Sequence, residues 1–497
     1  MPDPADRPEN PEYPEYPELD ALFPEDEGFA AARPAPPEET PPERPTAAVA
    51  AEQRPAEPDS AGGLPPPCRF AAGRWLAIAV LVILAAGTAL RMRDFFQPWK
   101  NTDPSLVLKG FGGALYGTMA RNHVRYGYRN TRLAMVNCGG EREVGELANH
   151  RYLNHPPLFA VLLSLAFHAF GVHEWSARLV PLVFSALSLL MLFVVVRLVA
   201  GVVPALLAML LMAALPMAAY YGAFVEVQSF QVMFLSLALF YFYWKWHLGR
   251  RAVFLVAMFA LFFLGAGFDW PIYLLAAGLF LHHVLAPGPR GRSKAILVFL
   301  PLGVVVAFGA TLVYVTKLSG TQNLGALLNA LAVETTGGQS LDALFGEGRW
   351  LEWPRRLRGY FATMYTWPVL ILAAVWILRA AVAGVFRRAP VASGLVFAYL
   401  CMGGGYVLLF PYGSSIHEYW SMYLIPVFCV AAACLLCEAS RWTVGVGAAV
   451  LAAYLGVHAW NRFEPPIPYE SSYYVQAGRA LQDRTDPTDT VAVLAIG

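Results

Sequence analysis

The residues best suited to chemistry in this chain stand where polar loops meet long apolar runs. One loop carries His150, Arg151 and His155 directly ahead of Pro156 and Pro157, and largely apolar sequence follows to Phe184. Similar junctions hold Asp269 before Trp270 and Pro271, Glu226 and Gln228 ahead of residues 229–246, and the tripeptide His417, Glu418, Tyr419. Asp94 and Asp103 follow the first apolar run, and Arg121 and Asn122 come farther along the same loop. Carboxylates and imidazoles move protons, and arginines hold anions. Ionisable groups beside a membrane interior are costly to keep there, so function is their default reading. Structural roles compete at several positions. Asp269 can cap the helix that begins at Pro271, Arg121 can snorkel to an interface, and Tyr419 with Trp420 can belong to an aromatic belt. Glu174 and Arg178 read better as a structural pair at a helix start than as catalytic groups, and the prolines fix the chain as it enters the membrane.

The elements that must position these groups are membrane helices. Hydrophobic residues make up 57% of the chain and charged residues 14%, and apolar runs recur at about the length that crosses a bilayer core of about 30 Å. They fall near residues 75–90, 157–170, 176–197, 201–219, 229–246, 252–267, 271–286, 295–316, 361–380, 391–411, 420–437 and 442–459. The fold class is therefore an all-α polytopic membrane protein with 11 or 12 membrane segments. Basic clusters at Lys245, Arg250 and Arg251, at Arg290, Arg292 and Lys294, at Arg379, Arg387 and Arg388, and at Arg441 place the intervening loops on the cytoplasmic side. Glu226, Asp269, residues 317–360 and His417–Glu418–Tyr419 then face outside. Arg69 and Arg74 put the N-terminus in the cytoplasm as well, which twelve full crossings cannot satisfy. The run 157–170, the shortest and broken by His168, is expected to be a half-crossing or a surface-lying helix.

A net charge of +1 gives no field for nucleic acid. Six scattered cysteines frame neither a disulfide scaffold nor a zinc site. Residues 1–66, dense in Pro and Glu with few aliphatic side chains, cannot bury enough surface to offset their ordering entropy. Residues 1–70 thus form an acidic, disordered cytoplasmic tail, and 71–460 the membrane domain. Beyond residue 460 the sequence turns soluble. A helix over 469–483 and a strand over 490–496 open a small external α/β unit within which the chain stops.

Residues 91–156 are too long for a plain connector. Within them, GALYGTMARNHVRYGY sets Leu115, Met119 and Val124 on one side and Arg121, Asn122 and Arg125 on others, an amphipathic helix for the membrane surface and its anionic head groups. Glu146 and His150 are four apart, which on an α-helix is one face, and His155 is not far behind. That spacing admits a divalent metal as a cofactor, but without a fuller ligand motif solvated loop residues are the better reading.

The ordered series ALYGTMARN, NHPPLF, FGVHEWSARLVPLVFS and FVEVQSFQVMFLSLALFYF resembles the bacterial members of glycosyltransferase family 39, the protein mannosyltransferase and aminoarabinose transferase group with the GT-C fold. The likeness spans roughly residues 75–460. It implies inverting transfer of a sugar from a polyprenyl-phosphate carrier to a protein, lipid or glycan acceptor, at the outer face of the plasma membrane. Such a reaction needs cations around the carrier phosphate and a carboxylate that takes the acceptor's proton. The family keeps that acid just before the amphipathic helix, where this chain has Gly110, Gly112 and Gly113. Asp103 is the favoured base, being nearer the helix than Asp94, whose plainer role is pairing with a neighbouring arginine. The resemblance also implies substrate-binding roles for Arg121, Asn122 and His155, and for Glu226 with Gln228. Asp269, His417, Glu418 and Tyr419 complete the expected rim. A transporter or flippase of lipid-linked sugar is the alternative class, disfavoured by the lack of an internal repeat. A catalytically silent relative is the third reading.

Overall fold

The computed structural model describes residues 73–97, 108–225, 229–286, 293–319, 349–385 and 390–463, with isolated positions at 325, 332, 333, 335, 479, 480, 483 and 484. All lie within the compact unit Pro67–Gly497. Asp103, Glu226 and Gln228 fall outside the described residues, as do the acidic tail and most of the expected C-terminal unit.

The architecture is all-α. Helix α1 (Arg74–Arg91) leads into the first loop, which contains α2 (Leu108–Thr131) and a two-stranded antiparallel ladder of β1 (Met135–Val136) and β2 (Arg151–Tyr152). Then follow α3 (Leu158–Phe170), α4 (Glu174–Ala200), α5 (Val202–Ala214), α6 (Pro216–Tyr220), α7 (Ser229–Gly249), α8 (Ala252–Phe268), α9 (Pro271–Leu285) and α10 (Lys294–Ser319). The remainder is α11 (Arg349–Met364), α12 (Trp367–Val385), α13 (Ser393–Leu409), α14 (Pro411–Ile416), α15 (Ile425–Leu436) and α16 (Arg441–Arg462).

Every apolar run expected from the sequence is helical where described, as an all-α membrane protein requires. Among the described residues, six helical stretches are long and apolar enough to cross a bilayer: α1, α4, α10, α12, Glu418–Leu436 and α16. The bent pair α5 and α6 makes a seventh if counted as one span. This is fewer than the eleven full spans expected, because α7 is not among them and α8, α9 and α13 are shorter apolar helices, as is α3, which was not expected to cross fully. Helix α3 has 13 residues, about 20 Å at 1.5 Å per residue, against a core of about 30 Å. Pro157 precedes it, and Gly171, at φ 83°, ends it. Its length thus agrees with a half-crossing or surface position. Two boundaries differ from the sequence reading. The run 201–219 is bent by 61° after Ala214, and the run 361–380 begins only at Trp367, after a break where Thr366 has φ 65°.

The Glu418–Leu436 stretch forms the centre, with 72% of its apolar window buried, against 11% for α1 and 17% for α16. Ala431, Ala432, Ala433 and Cys429 are small and fully buried, which lets neighbouring backbones approach closely. Helices α4 and α5 pack around this core, and α1 and α16 present mostly lipid-facing side chains.

Pro216 bends the α5–α6 pair, and Arg91 repairs the damage. Proline has no N–H, so the Met212 carbonyl four residues earlier loses its helical donor. Arg91, 1% exposed at the end of α1, supplies the replacement. Its guanidinium donates to Met212 O at 3.1 Å, Ala213 O at 3.0 Å, Gly87 O at 2.7 Å and Ser185 Oγ at 2.7 Å. Gly222 makes room for it: a Cβ there would lie 2.5 Å from Arg91 Cδ. In a bilayer each freed carbonyl needs such an internal donor.

Candidate functional site

The double proline that opens α3 and the Asp-Trp-Pro turn between α8 and α9 bring two distant segments together. Pro271 sits in the first turn of α9, where its missing N–H is harmless, and α8 ends as Asp269 takes an extended conformation. Trp270 Nε1 donates to Asn154 O at 3.0 Å, and His155 Nδ1 lies 3.3 Å from Asp269 Oδ1. The same oxygen accepts the Trp270 backbone N–H at 2.9 Å. Asp269 Oδ2 accepts Tyr423 OH at 3.3 Å. The carboxylate is 1% exposed. Tyr152, fixed by its β2 pairing with Met135, stacks on the His155 ring at 6.0 Å.

Tyr423 comes from the 3₁₀ turn Glu418–Leu424, which α14 feeds. It sits against Gly403, where a Cβ would approach the Tyr423 carbonyl carbon to 2.7 Å. That close approach falls at the wide turn Leu400–Gly404 within α13. His417 heads the 3₁₀ turn, its ring against Tyr419 and Trp420 at 5.1 and 5.6 Å. Burial, helped by repulsion from His155, pushes the His417 imidazole down to about 4. Among the described residues its buried Nδ1 has no partner. Next in sequence, Glu418 Oε1 accepts Tyr221 OH at 2.7 Å and meets Arg462 Nη2 at 3.5 Å. Tyr419 packs edge-on against Tyr221. Burial and the nearby Glu418 carboxylate raise the Tyr360 phenol, whose OH donates to Ser415 O.

His155, Asp269, His417, Glu418 and Tyr419 therefore gather at one end of the bundle. Arg121 does not join them. It lines an opening of about 230 Å³ with Thr118, Phe167, Val172, His173 and Glu174. That opening lies beyond the C-terminal end of α3, whereas His155 precedes its N-terminal end. The helix between is about 20 Å long. Burial and the neighbouring Arg125 lower the Arg121 guanidinium, and among the described residues its Nε has no partner.

Asn122 has a structural place in the first loop. It is fully buried, and its amide nitrogen donates to Val136 O at 2.8 Å and Cys138 O at 2.9 Å. It anchors the ladder strand to α2. Asn122→Ala is expected to lower stability by about 1–3 kcal/mol, the cost of leaving a buried carbonyl unsatisfied, while carrier binding stays unchanged; thermal unfolding beside a lipid-phosphate binding assay would check both.

Asp94 and Arg178 also acquire places. Arg178, 8% exposed, donates to Phe95 O at 3.0 Å and to Gln97 O. Both Glu174 and Asp94 are near enough to act on its charge. Arg178 thus ties the start of the first loop to α4, in keeping with a structural reading. Arg93 turns away from Asp94, stacking on Trp460 at 4.2 Å. The Glu146–His150 spacing fails as an α-helical face, because Val144–His150 is a 3₁₀ helix. With three residues per turn, positions four apart diverge. Among the described residues no group of three or more His, Cys, Asp or Glu side chains is arranged to hold a metal ion.

Sequence reasoning missed Tyr423, Tyr221, Arg462 and Tyr152. Tyr221 follows the Pro216 break and Tyr423 lies one turn inside an apolar run, so only spacing from Glu418 and His417 could have flagged them.

This all-α bundle has the GT-C fold. Over 83% of this chain it matches ArnT from Cupriavidus metallidurans bound to undecaprenyl phosphate, with a TM-score of 0.52 and 15% identity, covering 73% of that chain. It also matches the archaeal oligosaccharyltransferase AglB from Archaeoglobus fulgidus, in complex with an inhibitory peptide and a dolichol-phosphate, with a TM-score of 0.52 and 14% identity over 83% of this chain. The chain spans 58% of that protein's length. Residues 154–315, from the residue before His155 to a point inside α10, match the family model of dolichyl-phosphate-mannose-protein mannosyltransferase. No curated protein matches in sequence. The two solved structures show the fold, and the family model adds a match over residues 154–315.

Proposed function

We propose that the protein is an integral membrane glycosyltransferase that moves a sugar from a polyprenyl-phosphate carrier to an acceptor at the outer face of the plasma membrane, with inversion. The observation that carries this reading is the convergence of His155, Asp269, His417 and Glu418 at one end of a GT-C bundle. These groups come from three separate stretches of chain, and the solved structures most like it include ones that hold polyprenyl phosphates. The donor phosphate is placed beside His155 and His417, and Asp103 takes the acceptor's proton. Glu226 and Gln228 are assigned to substrate binding, and Arg121 in its separate opening contacts an anionic lipid head group. The acceptor's class, whether protein, lipid or glycan, is read best by mass spectrometry of cell-envelope glycans in a deletion strain.

The decisive experiment reconstitutes the full chain in liposomes with a set of polyprenyl-phosphate sugars. Labelled sugar should appear on an acceptor, and free carrier phosphate should accumulate in step. Movement of intact lipid-linked sugar across the bilayer with no transfer would overturn the reading in favour of a flippase.

A further inference from the structure

The end of the bundle away from Asp269 holds a cavity of about 270 Å³ between α9, α12 and α13. Its walls are largely apolar, with Leu285, Trp376, Ile377 and Phe397 among them, and Leu285 is exposed on the flank of the bundle. His282 lines it as well. That residue lies about 17 Å along α9 from Pro271, one turn short of the helix end. Its hydrogen bonding has one solution. Tyr243 is fully buried and places its hydroxyl 2.7 Å from His282 Nδ1. Among the described residues that nitrogen is the hydroxyl's single partner. A hydrogen on Nδ1 would strand the phenol's own hydrogen in an apolar interior. Nδ1 therefore accepts, and the ring's hydrogen sits on Nε2. Gly394 leaves space in front of it: a Cβ there would lie 2.5 Å from Nε2. Trp376 adds an indole N–H to the wall, also a donor, while the Ser393 hydroxyl is spent on Pro390 O at 2.6 Å. No charged side chain lines the cavity. Donors set in an apolar wall call for a ligand that brings an apolar body and an acceptor oxygen.

We propose that this cavity binds a diacyl glycerophospholipid of the leaflet opposite the His155–Asp269 end, with an ester carbonyl accepting the His282 Nε2–H and an acyl chain along the Trp376 and Phe397 wall. Ester carbonyls are the acceptors such a lipid carries where head groups give way to hydrocarbon. His282 stands at that depth, one turn inside the end of α9. The head group has a partner close by. Ser293 N–H donates to His283 Nε2 at 2.8 Å, which brings the next residue, the exposed Lys294 at the start of α10, to the same end of α9. A soluble ligand would leave the apolar wall without a partner, and an anionic group pushed into the cavity would meet no counter-charge. The cavity also shares α13 with the site: Leu400 lines it and begins the wide turn whose Gly403 receives Tyr423.

The test uses the full chain, stripped of lipid in detergent and titrated with dioleoyl phosphatidylglycerol or with its dialkyl ether analogue of the same head group and chain length. Native mass spectrometry counts the bound copies. One copy of the diester should be held about 2- to 10-fold more tightly than the diether, the range of one net hydrogen bond. His282→Phe combined with Tyr243→Phe removes the donor and the hydroxyl together. It should bring the diester down to the affinity of the diether and leave the diether unchanged. Ala381→Trp, on the exposed rim that α12 gives the cavity, should block the tight copy of both lipids without touching the hydrogen bond. Equal wild-type affinity for the two lipids, the behaviour of an annular lipid only, overturns the proposal. A diester preference that survives in the folded double variant overturns it as well, as does a tight copy that Ala381→Trp leaves in place. Should the double variant fail to fold, the wild-type comparison and Ala381→Trp still decide.

Discussion

Asp103→Asn should reduce sugar transfer by about 100- to 10,000-fold, the usual contribution of a positioned general base, while the folded protein survives because the amide is close in size to the acid. The comparison that gives this meaning is Asp94→Asn. Asp94 lies within electrostatic reach of Arg178, whose guanidinium also holds the Phe95 and Gln97 carbonyls. That arrangement closes the start of the first loop against α4, so neutralising Asp94 should appear mainly as lost stability and a modest loss of rate. Single-turnover transfer and thermal unfolding, measured on both variants, separate the two roles. Transfer that survives Asp103→Asn and fails in Asp94→Asn would move the base to Asp94 and leave the glycosyltransferase reading standing. If neither substitution matters in an active preparation, Glu226 is the next carboxylate to change. A full chain that transfers nothing from any carrier tried would favour a catalytically silent relative, for which Gly110, Gly112 and Gly113 in place of the family's acid give the simplest reason.

Sequence patterning made the helices legible because burial in lipid imposes long apolar runs, and each such run is helical where described. It could not show where a run bends. Nothing in the hydropathy of residues 201–219 marks a 61° turn, although Pro216 is the visible cause once the geometry is known. Among the nominated site residues, His155, Asp269, His417, Glu418 and Tyr419 come together, since each stands at a polar junction on one end of the bundle. Arg121 and Asn122 take their expected roles from the resemblance, and neither it nor the periodicity of the amphipathic helix that carries them can tell a ligand-facing polar group from one that satisfies a neighbouring strand. Asn122 turns out to be the latter. Likewise the Glu146–His150 spacing had meaning only on an α-helix, and the backbone there is 3₁₀. Tyr423 and Tyr221 were invisible because a tyrosine inside an apolar segment resembles core until its hydroxyl is seen to reach a carboxylate.

Arg91→Met should destabilise the membrane domain by about 2–4 kcal/mol, because it leaves the Met212 and Ala213 carbonyls without donors in a buried site at about 1–3 kcal/mol each. Removal of a buried charge recovers only part of that. Arg91→Lys should rescue incompletely: an ammonium has three donors, whereas the guanidinium makes four hydrogen bonds across α1, α4 and the end of α5. Pro216 is the cause, since its missing N–H is what orphans Met212. Pro216→Ala restores a donor four residues after Met212 and allows α5 to continue straight, so Arg91→Met should cost less in the Pro216→Ala background than in the wild type. A double-mutant cycle by chemical or thermal unfolding in detergent measures that coupling directly. Equal costs of Arg91→Met in both backgrounds would show that Arg91 serves packing alone, while a coupling of about 1 kcal/mol or more would identify it as the donor that makes the bent span tolerable in lipid.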